Sequence, residues 1–159
     1  MSLRRTLSSL VTITALTLVS TGCAHQPAAS TPGTPVYTDY QDMDAEFQTA
    51  KQTLQLPSGV DWPAHAEYQP DAQYESYYGQ TQGELYWLCA WEKELVSASG
   101  QDARRHDEAM RQLEQLRKTR LYQHSAEPKL RRLMSDSLDA AQKGDISLIQ
   151  QDVAVNCTS

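Results

Sequence analysis

One cysteine of this chain lies between two tryptophans in the stretch GELYWLCAWEKEL, residues 83–95. In such a setting Cys89 is a candidate for three kinds of chemistry: a reactive thiolate, a metal ligand, or one half of a disulfide. Three residues later Glu92 interrupts an apolar helical pattern, and a buried carboxyl group is a candidate general acid or base. The location of the protein and its other cysteines bear on the choice.

The first 22 residues have the order of segments that is typical of a bacterial export signal. Two arginines form a short positive segment, and an apolar run follows over Leu7–Val19. This run is shorter than the roughly 20 residues that a membrane-spanning helix needs. It ends in VSTGC, which resembles a lipobox, although Ser20 replaces the usual leucine. We expect Cys23 to carry acyl chains such as palmitate and to hold the protein on the outer face of the cytoplasmic membrane. Without lipidation the protein would be secreted.

Export changes what is expected of the three cysteines, because cysteines outside the cytoplasm tend to pair. If Cys23 carries lipid, Cys89 and Cys157 form the one possible pair. Cys157 continues an apolar stripe of the last predicted helix, and Cys89 also lies on an apolar face. We therefore predict a Cys89–Cys157 disulfide, which would stabilise the fold by about 4 kcal/mol. Two buried free thiols are the alternative, which spacing alone does not exclude.

Composition divides the chain into a signal over residues 1–22, a flexible tether over 23–37 rich in Pro, Ala, Ser and Thr, and a single helical domain over 38–159. Periodicity predicts helices near residues 38–54, 80–99, 102–122, 126–143 and 145–157. The residues typical of helix boundaries are the N-cap candidates Thr38, Asp39, Ser125 and Asp145, the first-turn Pro128, and the C-terminal Gly100 and Gly144. The predicted fold is all-α: a small, disulfide-stapled bundle of four to five helices with a long aromatic-rich loop.

The second predicted helix carries an unexpected charge. Its apolar side chains cover an arc of roughly 200°, which predicts a central helix surrounded by neighbours. Glu92 lies in the middle of this arc, and a buried carboxylate must be paired or protonated. His106, Arg117 and Arg120 on the next predicted helix are the expected partners. We favour an ion pair or a hydrogen bond that fixes helix packing, and general acid–base catalysis is the alternative.

Aromatic residues are concentrated in the irregular segment between the first two helices. Trp62, Tyr68, Tyr74, Tyr77 and Tyr78 are the candidates for a binding surface, since exposed tryptophan and tyrosine can stack on sugars or anchor a partner protein. The alternative, which we favour, is that these rings hold the loop onto the helical core.

Other signs of chemistry are few. The sequence has no HExxH, no CxxC, no glycine-rich phosphate loop and no GxSxG, so it predicts neither a metal site nor a cofactor.

Loss of the signal removes two arginines, which leaves 12 basic and 20 acidic residues and a net charge of 12 − 20 = −8. This charge argues against nucleic acid as a partner. The expected partners are the membrane, through the lipid, and an envelope protein or a cell-wall polymer.

Three segments carry a resemblance: LPSGVDWP (56–63), YWLCAWEKEL (86–95) and AAQKGDISLIQQDVAVNC (140–157). Their Pro-Gly-Trp-Pro loop, CAWE helix, A-x-K-G-D turn and terminal Asn-Cys are similar to a set of small secreted or membrane-anchored proteins of actinobacteria. The resemblance implies an extracytoplasmic location and no particular activity. It draws attention to Trp62, Trp91, Glu92, Asn156 and the two cysteines.

The leading functional hypothesis is a membrane-anchored, non-catalytic binding or accessory module of the cell envelope. One alternative is a small cell-wall enzyme that uses Glu92. Another is a carbohydrate-binding module that uses the Trp/Tyr loop.

Overall fold

A computed structural model describes residues 36–67, 69 and 71–157 of the protein. The predicted signal, Cys23 and all but the last two residues of the predicted tether lie outside the described residues. The elements are β1 (Tyr37–Thr38), α1 (Tyr40–Thr53), β2 (Tyr74–Glu75), α2 (Tyr78–Ala98), α3 (Ala103–Leu113), a 3₁₀ helix (Glu114–Lys118), a π-helical turn (Leu121–Ser125), α4 (Pro128–Ala141) and α5 (Ser147–Asn156). The two short strands pair antiparallel. The predicted all-α class is confirmed.

The first helix lies very close to the second because two glycines of α2 face it. Met43, Phe47 and Ala50 form the buried stripe of α1. A Cβ atom at Gly79 would lie 1.8 Å from the carbonyl oxygen of Met43, and one at Gly83 would lie 2.5 Å from the Cβ of Ala50. Since no larger residue fits at such distances, these glycines set the separation of the two helices.

Helix α2 is the centre of the fold, as its broad apolar arc predicted. Trp87, Leu88, Trp91 and Leu95 are buried, and α1, α3 and α5 all pack on this helix. The indole Nε1 of Trp91 donates a hydrogen bond to the main-chain oxygen of Gln55, 2.8 Å away. This bond ties the segment after α1 to the central helix.

The prediction of one continuous helix over residues 102–122 is wrong. Helix α3 ends within this range, a short 3₁₀ helix follows, and Thr119 then has an extended backbone with ψ 156°. The break is stabilised by Glu84 of α2, a buried carboxylate that accepts hydrogen bonds from the main-chain N–H groups of Arg120 and Leu121, at 3.1 and 2.5 Å. These N–H groups begin the next helical turn and need an acceptor. Periodicity along one segment cannot reveal an acceptor that another helix supplies.

Several predicted boundary residues are confirmed. The Oδ1 atom of Asp39 accepts a hydrogen bond from the N–H of Asp42 at 3.1 Å and so caps α1. Pro128 lies in the first turn of α4. Gly100 and Gly144, which follow α2 and α4, have φ angles of 73° and 91°. This left-handed conformation suits glycine and ends both helices.

The two predicted N-caps of the last helices are wrong. Helix α4 is preceded by Glu127 and α5 by Ile146, and neither side chain makes a capping hydrogen bond. The proline at the start of α4 drives the residue before it into an extended conformation, so Glu127 with ψ 151° takes the cap position expected for Ser125. Asp145 lies one residue too early, and its Oδ1 accepts from the N–H of Ser147 at 3.0 Å.

The predicted disulfide is present. Cys89 in α2 is bonded to Cys157, the residue after α5, with a distance of 5.4 Å between the Cα atoms. The bond joins the last helix to the central helix across a sequence separation of 68. Among the described residues, no helix combines the length and the apolar character needed to cross a membrane.

Candidate functional site: an apolar groove with an acid pair

Glu92 is buried where α2, α5 and the disulfide meet. Its residue is 6% exposed, and its Oε2 atom lies 3.7 Å from the Sγ atom of Cys157. Because a disulfide sulfur carries no proton, this is a packing contact and not a hydrogen bond donated by the cysteine.

The disulfide also decides the chemistry of the cysteines next to Glu92. The donor atoms of Cys89, Glu92 and Cys157 lie within 4.8 Å of one another, a spacing that could hold a metal ion. Both sulfurs are bonded to each other, however, and a thiolate is what acts as nucleophile or as strong metal ligand. Of the three kinds of chemistry open to Cys89, the structure has the disulfide.

The partner of Glu92 is another acid, Asp152 of α5. Burial, the charge of Asp152 and a hydrogen bond between the two side chains together raise the pKa of Glu92 to about 9, and burial is the largest of the three causes. Glu92 therefore keeps its proton at neutral pH and shares it with Asp152. Asp152 also accepts a hydrogen bond from Nδ2 of Asn156 at 2.6 Å. We call Glu92 and Asp152 the acid pair.

The expectation of a basic partner for Glu92 is wrong. Arg117 donates from Nη2 to Asp139 of α4 at 2.5 Å, while Arg120 and His106 contact other side chains. The helical conformation is interrupted at Thr119, just before Arg120. The side chain of Arg120 therefore does not continue the helix face formed by α3. Glu92 is neutralised by protonation and not by an ion pair.

An apolar groove opens between α4 and α5 and includes the acid pair. Its volume is about 240 Å³. Leu130, Leu133 and Val155 at the groove are 42%, 50% and 66% exposed. We call it the α4–α5 groove, and it is lined by Leu88, Glu92, Leu116, Leu130, Leu133, Met134, Ser137, Leu138, Leu148, Gln151, Asp152, Val155 and Asn156. Large apolar side chains exposed together around a cavity are typical of a surface that binds another molecule.

The acid pair gives the groove a defined polar chemistry. A protonated Glu92 can donate a hydrogen bond, and the carboxylate of Asp152 can accept one. A general acid works best when its pKa lies near the working pH, whereas a pKa of about 9 keeps the proton in place at neutral pH. The arrangement therefore suits recognition of a polar or cationic group within an apolar surface.

Two of the predicted surface aromatics pack inward. The ring of Trp62 lies 6.0 Å from the ring of Phe47 and 5.3 Å from that of Tyr86, between centroids. Tyr74 is buried, and its hydroxyl group accepts from the N–H and donates to the carbonyl oxygen of Gln69, at 2.8 and 3.2 Å. These contacts hold the long loop against α1 and α2.

Two other aromatics of the predicted surface face solvent. Tyr77 and Tyr78 are 48% and 42% exposed, and the ring of Tyr78 also lies 5.5 Å from that of Tyr74. Tyr68 lies outside the described residues. A ligand that stacks on the described part of this loop would therefore meet Tyr77 and Tyr78 first.

Sequence reasoning missed Asp152 and the exposed leucines of α4. Asp152 lies about 60° from Ile149 on a helical wheel, close enough to the apolar stripe of α5 to face the core. Leu130 and Leu133 lie three residues apart on one face of α4, and both stay about half exposed at the groove. Helical periodicity shows which residues share a face of α4, but it does not show whether another element covers that face.

Comparisons with family models, with curated proteins and with solved structures found no match to this chain. The resemblance to small exported proteins of actinobacteria stays a prediction.

Proposed function

We propose that the protein is a lipid-anchored, non-catalytic binding module of the bacterial envelope, which docks an apolar segment of a partner protein in the α4–α5 groove. The observation that supports this most directly is the exposure of Leu130, Leu133 and Val155 around one cavity. Covering an apolar side chain of this size contributes about 1.5–3 kcal/mol when burial is complete. The three side chains are 42%, 50% and 66% exposed, so covering what remains exposed of each contributes part of this amount.

The chemistry of the groove indicates which segment would fit. Two helices form its walls, so an amphipathic helix with apolar side chains at i, i+3 and i+4 spacing matches it in shape. The acid pair favours a partner that also presents a hydrogen-bond donor, such as an amide or an ammonium group. Such a donor would add a hydrogen bond to Asp152, which already accepts from Asn156 Nδ2 and from the protonated Glu92.

The predicted anchor gives the groove its location. Lipidation of Cys23 would attach the domain to the outer face of the membrane through the predicted tether over residues 23–37. A chain of this length has an end-to-end distance of about 20 Å. The domain would therefore meet proteins that lie at the membrane surface or emerge from it.

Photocrosslinking in intact cells tests the docking proposal. A photoreactive amino acid replaces Leu133 in one strain, and Val60, an exposed apolar residue that does not line the groove, in a control strain. We expect a discrete crosslinked protein from position 133 and none from position 60. The product should disappear when Val155→Asp is added. Equal products from both positions, or a product that survives Val155→Asp, would contradict the proposal.

The anchor has a separate test. The intact mass of the protein from the membrane fraction is expected to correspond to a chain that begins at Cys23 and carries two or three acyl groups. A Cys23→Ala variant should leave the membrane fraction. An unacylated mass in that fraction would refute the anchor and would leave the crosslinking test of the groove unaffected.

A second candidate function is acid–base catalysis on a cell-wall polymer by the acid pair. Two carboxyl groups that share a proton, one of them with a raised pKa, occur in hydrolytic enzymes. Purified wall material incubated with the protein and with an Asp152→Asn variant would test it. Release of soluble fragments by the first protein alone, with both proteins folded, would favour this candidate over docking.

A further inference from the structure

A second cavity of about 440 Å³ lies where the end of α1, the start of α2, the end of α3 and the 3₁₀ helix meet. It shares no lining residue with the α4–α5 groove. Four glutamines from different parts of the chain line it: Gln55, Gln80, Gln112 and Gln115. We call it the glutamine cleft. An amide side chain donates and accepts hydrogen bonds at once, which matches the hydroxyl groups of a polyol or sugar.

Among the described residues, two buried donors at the cleft have no acceptor. Trp87 and Arg120 line the cleft, and the Nε1 atom of Trp87 and the Nε atom of Arg120 are buried without a hydrogen-bond partner among the described residues. Trp87 is 1% exposed. An unsatisfied buried donor costs about 1–3 kcal/mol. By contrast, the indole of the neighbouring Trp91 donates to the carbonyl oxygen of Gln55. The two unsatisfied donors indicate that the cleft recognises acceptor oxygens.

The residues that line the cleft carry more positive than negative charge. Lys118 and Arg120 line it together with one acid, Glu84. The two oxygens of Glu84 already accept from Gln80 Nε2 at 3.0 Å and from the main-chain N–H groups at the start of the π-helical turn. The nitrogen of Lys118 donates to an amide oxygen, that of Gln115. Within the described residues, neither basic side chain has a carboxylate partner, so an anionic group is the complementary ligand.

The position of Arg120 is held by a strained residue. Tyr77 has φ 71°, a left-handed conformation that is unfavourable for a bulky side chain. Its N–H donates to Oε1 of Glu46 at 2.6 Å, and its exposed ring lies 3.6 Å from the guanidinium carbon of Arg120. Strain of this kind persists where surrounding contacts impose it, often at ligand sites. Here the contacts hold an aromatic ring, which does not itself line the cleft, against the guanidinium group of Arg120.

We propose that the glutamine cleft binds a sugar acid, meaning a small polyhydroxylated ligand that carries a carboxylate. The carboxylate pairs with Arg120 and Lys118, and the hydroxyl groups pair with the glutamine amides. Trp87 Nε1, a buried donor without an acceptor among the described residues, is assigned to a further oxygen of the ligand. The ring of Tyr77 borders the same guanidinium group.

The test is a titration of the isotope-labelled full-length protein, with its disulfide intact, by NMR. The probes are glucuronate, glucose and inorganic phosphate. We expect saturable shifts with glucuronate at the amides of Gln80, Glu84 and Arg120, and affinities at least about tenfold weaker for glucose and for phosphate. Absence of saturable shifts with glucuronate would overturn the proposal. Phosphate binding as tightly as glucuronate would also overturn it, because an anion alone would then account for the site.

Two variants locate the site. Arg120→Gln should weaken glucuronate binding by at least about tenfold, and Lys118→Gln, at an exposed residue where folding is not at risk, by about three- to tenfold. Arg117→Gln is the matched control, because Arg117 pairs with Asp139 and does not line the cleft. Unchanged binding by Lys118→Gln, or an equal loss in the control, would place the ligand elsewhere and refute the proposal.

Discussion

Replacement of Glu92 by glutamine separates the ionisation of the acid pair from its packing. The amide has nearly the shape of the carboxyl group, and its Nε2 atom can donate to Asp152 as the protonated Glu92 does. The contact with the disulfide and the neighbouring leucines is retained. What disappears is the ability of this position to lose a proton.

The sign of the effect follows from the pKa of Glu92 in the two states. The pKa is about 9 in the folded protein and about 4.5 in the unfolded chain. Between these values the unfolded chain has released the proton while the folded protein retains it. Because the unfolded state binds fewer protons, the free energy of unfolding falls as the pH rises through this window. Below pH 4.5 and above pH 9 the group adds no further slope.

The magnitude is large enough to measure. Each pH unit inside the window is worth about 1.4 kcal/mol for one proton. Between pH 5 and pH 8 the protein should therefore lose about 4 kcal/mol through this group. Glu92→Gln should have nearly the stability of the unsubstituted protein at pH 5 and exceed it by a few kcal/mol at pH 8.

Urea unfolding of both proteins, followed by circular dichroism at pH 5, 6, 7 and 8, measures the difference. Glu75→Gln, at an exposed glutamate of β2, is the matched control and should leave the pH dependence unchanged. A difference between Glu92→Gln and the unsubstituted protein that stays constant from pH 5 to pH 8 would refute the reasoning. It would mean that Glu92 is ionised in the folded protein and that another group compensates its charge.

Three further predictions concern stability. Reduction of the Cys89–Cys157 disulfide should lower the free energy of unfolding by about 4 kcal/mol, since the closed loop spans 68 positions; denaturant unfolding with and without reductant would show it. Gly79→Ala should cost about 3 kcal/mol, because the new Cβ would meet the carbonyl oxygen of Met43; an unchanged melting temperature would disprove the close contact of α1 and α2. Glu84→Gln should cost about 2–3 kcal/mol, because one backbone N–H at the π-helical turn would lose its acceptor; loss of amide-exchange protection at that turn is the specific measurement.

The sequence predicted the parts of the fold that depend on local pattern. Helix α2 was recognised from the breadth of its apolar arc, and the ends of α2 and α4 from Gly100 and Gly144. The disulfide followed from the count of cysteines and from the apolar faces on which two of them lie. Each of these inferences uses neighbours along one helix, which fixed helical geometry places on a known face.

The site was less accessible from sequence because its parts come from separate helices. Glu92 was recognised as an anomaly, but its partner was sought on the next helix and lies on α5. Asp152 reaches it because the disulfide draws the end of α5 onto α2. Likewise the break before Arg120 depends on a carboxylate of α2, which no property of residues 102–122 reveals.

The sequence alone determined the all-α class, the central helix, the paired cysteines and the presence of one misplaced charge. The tertiary structure decided whether that charge is paired or protonated, which apolar side chains stay exposed, and which donors lack an acceptor. The physical reason is that periodicity reports the direction of a side chain relative to its own helix. Burial, pKa and hydrogen bonding depend on what the other helices bring to that side chain.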